Sequence, residues 1–527
     1  DQVARQQGYR LDVIFVDEGP IGQREGQLVE IWMFDVDSKK ETLLLDKNLI
    51  ISGLDVSPDG EKVLFTARET NRRNDGYKNE IYLLDVATKD IRRLSHNRAP
   101  ERAPLWAPSG KVFVYMAADD KEWLNRNSKI WLMDPAAGKH ELISSKFEGN
   151  IRTLSWSPDS RYVYFNGQQG VNTNLFRLDV ASREVEKLTD VEGSLRVTGF
   201  SKDHTRYVYI FSDYDTPPDV YTSSVEPFQP VRLTRANPWV EEEIELASMR
   251  LVRWKSVNDY EIEGLLHLPA GSTKGTRLPL ILHIHGGPAG CFTNSFRASY
   301  HIWAGLGYVS LSPNVRGSSG YTDHLREGNT VQKGDGIGKG DYWDLMHGVD
   351  KVISEGYVDP DHIGLRGWSY GGILGGWTIT QTNRFKAASL GAGVYDWRSE
   401  YGMGFNHDVR LWHIGGTPWD NPRAYRMQSA YTHVKNVSTP TLLIHGMRDT
   451  TDTEGQSMLF FTALKDIGKV PCRYIRVPKE PHGFREPRHQ RIRDIEEIKW
   501  MQKYVRGIEW EPWKRPEEKK KGEKEEK

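Results

Sequence analysis

A serine hydroxyl becomes a useful nucleophile only when a base takes its proton, and the base works better when an acid fixes its tautomer and stabilises its charged form. The C-terminal half of the chain holds candidates for all three roles. Ser369 sits in Gly367-Trp-Ser-Tyr-Gly-Gly, Asp449 in His445-Gly-Met-Arg-Asp and His482 in Pro481-His-Gly-Phe. Small residues on both sides of Ser369 suit the sharp strand-to-helix turn of a nucleophile elbow, where a side chain two positions away would collide. The chemistry such a set performs is acyl transfer. Asp452 competes with Asp449 for the role of acid, and its greater distance from the preceding strand favours Asp449. His445 reads as a structural residue at a strand end, while His407, His413 and His489 have no strand immediately before them. Backbone amides usually hold the oxyanion of such a reaction. The amide of Tyr370 and the glycine-rich turn His285-Gly-Gly-Pro can both supply them.

These residues need a scaffold that brings distant loops together. Apolar segments Ile281 to Ile284, Val309 to Leu311, Ile363 to Leu365, Ala387 to Leu390, Thr441 to Ile444 and Arg473 to Val477 predict strands. Between and after them, Tyr342 to Ser354, Ile373 to Thr380, Gly455 to Ile467 and Ile492 to Tyr504 predict helices. The alternation implies a doubly wound, mostly parallel α/β domain over residues 241–510, whose reactive groups gather at the carboxyl ends of the strands. Ser369, Asp449 and His482 each follow a strand.

Residues 1–240 repeat at a step of about 45 to 50. Asp35, Asp85, Asp134 and Asp179 each close a short apolar segment. Ser57-Pro-Asp-Gly, Ala107-Pro-Ser-Gly, Ser157-Pro-Asp-Ser and Ser201-Lys-Asp-His form a second series, each leading into a strand-like run such as Lys62-Val-Leu-Phe. Small antiparallel sheets at this period are the mark of a β-propeller, with four units countable and the first 45 residues resembling the tail of a fifth. A proline and the acidic cluster Glu241-Glu-Glu mark the join, and residues 511–527 form a charged tail expected to be disordered.

The chain has 527 residues, 71 basic and 72 acidic, so no net field attracts nucleic acid. Its two cysteines, Cys291 and Cys472, lack metal-type spacing and read as unpaired thiols. No apolar run is long enough to span a membrane, and the first residues lack a signal-peptide pattern. The chain reads as soluble, with cytoplasm or periplasm undecided because its first residue is Asp1 rather than methionine. The sequence leaves a homo-oligomer open.

Taken together, His285-Gly-Gly-Pro, Asn314-Val-Arg-Gly-Ser-Ser-Gly-Tyr, Gly367-Trp-Ser-Tyr-Gly-Gly, His445-Gly-Met-Arg-Asp and Pro481-His-Gly-Phe resemble the prolyl oligopeptidase family of serine peptidases, in the branch with acylaminoacyl and dipeptidyl peptidases. The resemblance covers nearly the whole chain. It implies an α/β-hydrolase domain behind a β-propeller, a triad of Ser369, Asp449 and His482, and an oxyanion hole from the amides of Tyr370 and Gly287. It also implies an apolar substrate pocket at Val394 and Trp397, short peptide substrates, and no metal or organic cofactor. Two features depart from the family pattern. Asp449 is followed by Thr-Thr-Asp where the family shows an apolar residue and proline, which makes the pocket rim more polar. Family propellers have seven or eight blades, and about five are visible here. An esterase on the same fold and an inactive propeller interaction protein are the alternative readings.

Overall fold

Two polar motifs, repeated along the N-terminal half, explain how its strands turn back on one another. In the computed structural model, which describes residues 29–70, 73–96, 99–119, 125–404 and 410–512, the Ser57 hydroxyl donates to Asp59 Oδ1 at 2.5 Å. Asp59 Oδ1 also accepts the Glu61 N–H at 3.0 Å. Ser157 with Asp159 and Ser201 with Asp203 repeat the arrangement at 2.5 and 2.7 Å. The aspartates that close the apolar segments make turns of another kind, in which one aspartate oxygen accepts two successive backbone amides. Asp85 takes Ala87 and Thr88, Asp134 takes Ala136 and Ala137, and Asp179 takes Ala181 and Ser182. A side chain that satisfies its own turn's amides stabilises that turn without help from elsewhere, so the motifs recur wherever a strand must reverse.

The strands between these turns form antiparallel meanders. Ile50–Val56 to Ile91–Arg93 make one four-stranded sheet, and Arg102–Trp106 to Lys139–Leu142 make the next. Two further four-stranded runs, Asn150–Trp156 to Val185–Lys187 and Ser194–Phe200 to Val231–Arg232, are joined by one parallel contact between Thr173 and Ser194. Ile31–Phe34 and Glu41–Leu45 pair as a two-stranded ribbon ahead of them. Each sheet buries apolar residues against the next, for example Trp106, Phe113 and Tyr115 beside Leu64 and Ile81. The first 28 residues, and with them most of the expected fifth unit, lie outside the described residues, as does the charged tail from residue 513. The acidic cluster at the join is a short helix, Pro238–Glu243, opened by its proline.

The second half is one eight-stranded sheet. Its strands are β1 (Ser248–Lys255), β2 (Glu261–Leu268), β3 (Leu278–Ile284), β4 (Val309–Asn314), β5 (Val358–Trp368), β6 (Ala387–Gly391), β7 (Thr441–Gly446) and β8 (Cys472–Val477). They lie in the order β1-β2-β4-β3-β5-β6-β7-β8, with β2 antiparallel to both of its neighbours, β1 and β4, and every other pairing parallel. The sequence pattern predicts six of the eight. It misses β1 and β2 because their charged residues, Arg250, Arg253, Lys255, Glu261 and Glu263, interrupt the apolar run that a strand covered on both faces shows.

Side chains alternate across β3: Leu280, Leu282 and Ile284 pack into one apolar cluster and Ile281 into the other. On the first face lie helices α2 (Gly340–Ser354), α3 (Tyr370–Gln381) and α4 (Glu454–Ile467). Helices α1 (Ala298–Gly305) and α5 (Pro487–Arg506) bury Trp303, Trp500 and Met501 on the second. Helix α3 starts three residues earlier than the pattern predicts, directly after the serine turn, and α5 starts five residues earlier, at Pro487. Among the described residues no helix is long and apolar enough to cross a membrane.

The two halves meet along residues 320–327. Gly170 N–H donates to the Gly320 carbonyl at 2.7 Å, Asn127 Nδ2 donates to the Tyr321 carbonyl at 2.8 Å, and Asp323 accepts Lys129 at 3.2 Å. Arg126 reaches both Asp323 and Glu327. The N-terminal sheets are thereby fastened to the chain that follows Ser318 and Ser319, beside the glycine-rich turn.

Candidate active site

Ser369 is the single residue between β5 and α3, and its backbone has φ 60° and ψ −122°. That region is costly for a residue with a Cβ, and the strand and helix around it hold it there. The packing explains why its neighbours are glycines. A Cβ on Gly367 would stand 2.3 Å from the Gly371 carbonyl oxygen, one on Gly371 2.2 Å from the Ile284 oxygen, and one on Gly372 2.4 Å from the Gly391 oxygen. The Ser369 N–H donates to the Gly391 carbonyl at 3.0 Å, tying the turn to β6.

Three loops at the carboxyl end of the sheet converge on this hydroxyl. His482, after β8, places Nε2 2.9 Å from Ser369 Oγ and Nδ1 2.7 Å from Asp449 Oδ2. The Asp449 side chain is fully buried, whereas His482 keeps about a quarter of its surface, 27%, open to solvent. Trp368 holds the histidine loop in place, donating its indole N–H to the His482 carbonyl at 2.8 Å and meeting Phe484 edge-on. Asp452, the rival acid, lies in the same loop as Asp449. Its backbone N–H donates to Asp449 Oδ1 at 3.2 Å, alongside the Thr451 N–H at 2.9 Å.

His445, read from the sequence as a structural residue at a strand end, makes a contact with the acid that the sequence reading missed. It is the penultimate residue of β7, is fully buried, and puts Nε2 3.0 Å from Asp449 Oδ2 and 2.8 Å from the Asp452 carbonyl. Two acceptors on one nitrogen require that Nε2 carry the proton, so His445 donates to both. Its Nδ1 then accepts from the Ser457 hydroxyl at 2.8 Å, a residue of α4. Burial raises the Asp449 carboxyl, but the hydrogen bonds from His445 and His482 outweigh it and hold the group below its ordinary value. Asp449 is therefore an anion with both oxygens occupied. The four-residue spacing of His445 and Asp449 across the loop is the signal that could have found this contact. Of the other histidines set aside, His413 is buried on the Asn329 carbonyl, His489 pairs with Glu480, and His407 lies outside the described residues.

The glycine-rich turn stands on the other side of the serine. A Cβ on Gly286 would come 3.5 Å from Ser369 Cβ, and Gly287 has a φ of 137° that no other residue type adopts readily. His285 anchors the turn through Nε2, 2.9 Å from the Ser318 hydroxyl, and that hydroxyl donates to the Val315 carbonyl at 2.6 Å. Tyr370 is the first residue of α3, where a backbone N–H has no acceptor within the helix. Its phenol donates to Asp341 Oδ2 at 2.7 Å, and burial raises that carboxyl to about 6.

Burial lowers His285 to about 4, which keeps the imidazole neutral. A histidine depressed in this way stabilises the fold above its unfolded value and loses that contribution as pH falls, because the unfolded chain takes the proton first. From an ordinary 6.5 to about 4, the wild-type chain should lose about 2 kcal/mol more between pH 7 and pH 5 than His285→Gln. Urea denaturation at the two pH values measures it, and equal losses in both proteins would contradict the burial effect.

Val394 and Trp397, in the loop after β6, line an apolar space with Ile373, Leu374 and Trp377 of α3. They are 2% and 4% exposed, and the space between them is about 10 Å³, too small for a side chain. Next to it lies a buried ion pair that the sequence did not reveal. Glu400 accepts Arg410 at 2.7 Å and the Thr453 hydroxyl at 2.9 Å; burial pushes its carboxyl up, and the Arg410 charge pulls against that.

Comparison with known proteins places this arrangement. Residues 294–507 match the prolyl oligopeptidase family. The chain is 24% identical over 460 residues to dipeptidyl-peptidase 5 of Porphyromonas gingivalis, covering 85% of this chain and 66% of that protein. It is 26% identical to the uncharacterized peptidase YuxL of Bacillus subtilis, covering 92% and 88%. Among solved structures, the Pyrococcus horikoshii acylaminoacyl peptidase superposes with a TM-score of 0.69 at 21% identity over 90% of this chain and 85% of that one. A puromycin-hydrolyzing peptidase of Mycobacterium tuberculosis does so with a TM-score of 0.71 at 21% identity, over 89% and 72%. These structures share the fold, an α/β-hydrolase domain in the C-terminal half. The matched segment, residues 294–507, contains Ser369, Asp449 and His482, so the candidate site lies within the part of the chain that is similar to the prolyl oligopeptidase family.

Proposed function

We propose that this chain is a serine peptidase that hydrolyses peptide bonds of short peptides through an acyl-enzyme. One observation carries the reading: a single imidazole bridges Ser369 Oγ at 2.9 Å and the buried Asp449 carboxylate at 2.7 Å. His482 Nε2 accepts the serine proton as Oγ attacks the peptide carbonyl, and Asp449 holds Nδ1–H toward itself and stabilises the imidazolium. The oxyanion rests against the amides of Tyr370 and Gly287. His482 then gives its proton to the departing amine, the C–N bond breaks, and a water deprotonated by the same imidazole hydrolyses the ester. Val394 and Trp397 form the floor that takes the apolar residue before the cut bond. It opens by movement of Trp397 or Trp377, since the space is closed in this structure.

The N-terminal meanders serve, in this reading, as blades of a β-propeller over residues 1–240. They stand over the hydrolase domain of residues 241–510 and limit substrates to short peptides. The residues of the chain supply every group the reaction requires, so no metal or organic cofactor has a role.

Turnover of a short peptide anilide, measured beside a nitrophenyl ester of the same acyl group, tests the assignment. Cleavage of both, with one fluorophosphonate label on Ser369, is the expected result. Ester cleavage with no amide cleavage across a peptide library would replace the peptidase with an esterase.

A further inference from the structure

Between the N-terminal sheets and the glycine-rich turn lies a cavity of about 420 Å³ whose lining includes Arg102, Arg126, Arg152, Arg326, Ala289 and Ser319. Arg126 is committed to Asp119, Asp323 and Glu327. Among the described residues, no carboxylate pairs with Arg102 or Arg152. Burial lowers Arg326 to about 10, with Asp323 opposing and the charges of Arg102 and Arg152 adding to the fall. Positive charge is therefore in excess on one side of the cavity.

The backbone is arranged to put it there. Arg102 and Arg152 occupy matching places in the first strands of successive sheets, each four residues before a tryptophan, Trp106 or Trp156. In each strand the next residue has positive φ, 48° at Ala103 and 54° at Thr153. Strand pairing slips at the same points, between Arg102 and Leu105 and between Arg152 and Leu154. A bulge adds a residue to one strand and re-aims the side chain beside it. A β-branched threonine in that region is an outlier, so the two bulges persist against local preference.

The cavity is close to the serine. Gly286 packs against Ser369, and Ala289 is three residues further along, a distance the chain spans in about 10 Å at most. An extended peptide rises about 3.3 Å per residue, so the cavity wall lies about two to four residues from the bond held at Ser369. A guanidinium fork matches a carboxylate in geometry as well as charge.

We propose that this cavity binds a carboxylate of the substrate, carried about two to four residues from the cut bond, through Arg102 and Arg152. The assignment rests on the peptidase reading and narrows its substrates to short peptides that bear a negative charge at that distance. The charge comes either from the substrate's own C-terminus, on the leaving side, or from an acidic group on the acyl side.

Calorimetric titration of the full chain carrying Ser369→Ala tests it with two matched pairs. One pair is a short peptide with a free or an amidated C-terminus, and the other is the amidated peptide with an N-terminal succinyl or acetyl group. The anionic member of at least one pair should bind about tenfold tighter or more, and which pair does so identifies the source of the carboxylate. Added salt should narrow the gap. Arg102→Gln with Arg152→Gln should close it, whereas Arg196→Gln, at the matching place of the next sheet but outside the cavity, should leave it intact. Equal binding within both pairs, or a preference that survives the double substitution, overturns the proposal. Fluorophosphonate labelling of the wild-type chain reports on the peptidase reading separately, so intact labelling without anion preference would remove the cavity assignment alone.

Discussion

Replacing Ser369 by alanine is expected to lower turnover of a peptide anilide by roughly a hundred-thousand-fold or more and to abolish fluorophosphonate labelling. The substitution removes one oxygen from a turn whose geometry is fixed by glycines and by the Ser369 N–H bond to Gly391, so the fold should be unchanged. The size of the effect follows from the loss of the covalent route. Any residual rate would come from oriented binding and, in the proposed mechanism, from the amides of Tyr370 and Gly287. Steady-state kinetics together with thermal unfolding check both parts. A variant that keeps within tenfold of wild-type activity while folding normally would show that the hydroxyl takes no part in the chemistry.

Asp449→Asn should cost about ten-thousand-fold in kcat, and Asp452→Asn far less. Asparagine keeps the size of the side chain but can turn an N–H toward His482 Nδ1, which stabilises the tautomer with Nε2 protonated. That nitrogen must be unprotonated to accept from Ser369, 2.9 Å away. Asp452 contributes its backbone N–H to Asp449 and its carbonyl to His445, and both survive the change to asparagine. Comparing kcat of the two variants separates the rival acids. Equal losses would mean that the buried Asp452 carboxyl, raised by burial, carries a share of the charge that the geometry gives to Asp449.

Motifs whose function is local were legible in the chain. The repeats of Ser57 to Asp59 and of Asp85, Asp134 and Asp179 specify turns through bonds within four residues, and the glycines around Ser369 reflect contacts within that turn and its two neighbouring strands. The pattern located six of the eight strands for the same reason, since an apolar run buried on both faces is written in consecutive residues. β1 and β2 were not, because the partners that bury their charged residues, Glu355 for Arg250 for instance, lie far along the chain.

Alone, the amino-acid sequence determined the order of the candidate nucleophile, acid and base, Ser369, Asp449 and His482, and the kind of scaffold that could bring them together. Only the tertiary structure decided what surrounds them: His445 on the second face of Asp449, the Glu400–Arg410 pair beside Val394 and Trp397, and the arginines of two separate sheets facing one cavity. The division has a physical cause. A turn or strand is fixed by interactions among near neighbours, so its residues are readable in place. The charge, dryness and shape of a site depend on the loops and sheets packed around it, such as those that bring Arg102 and Arg152 to one cavity, and the fold sets that packing.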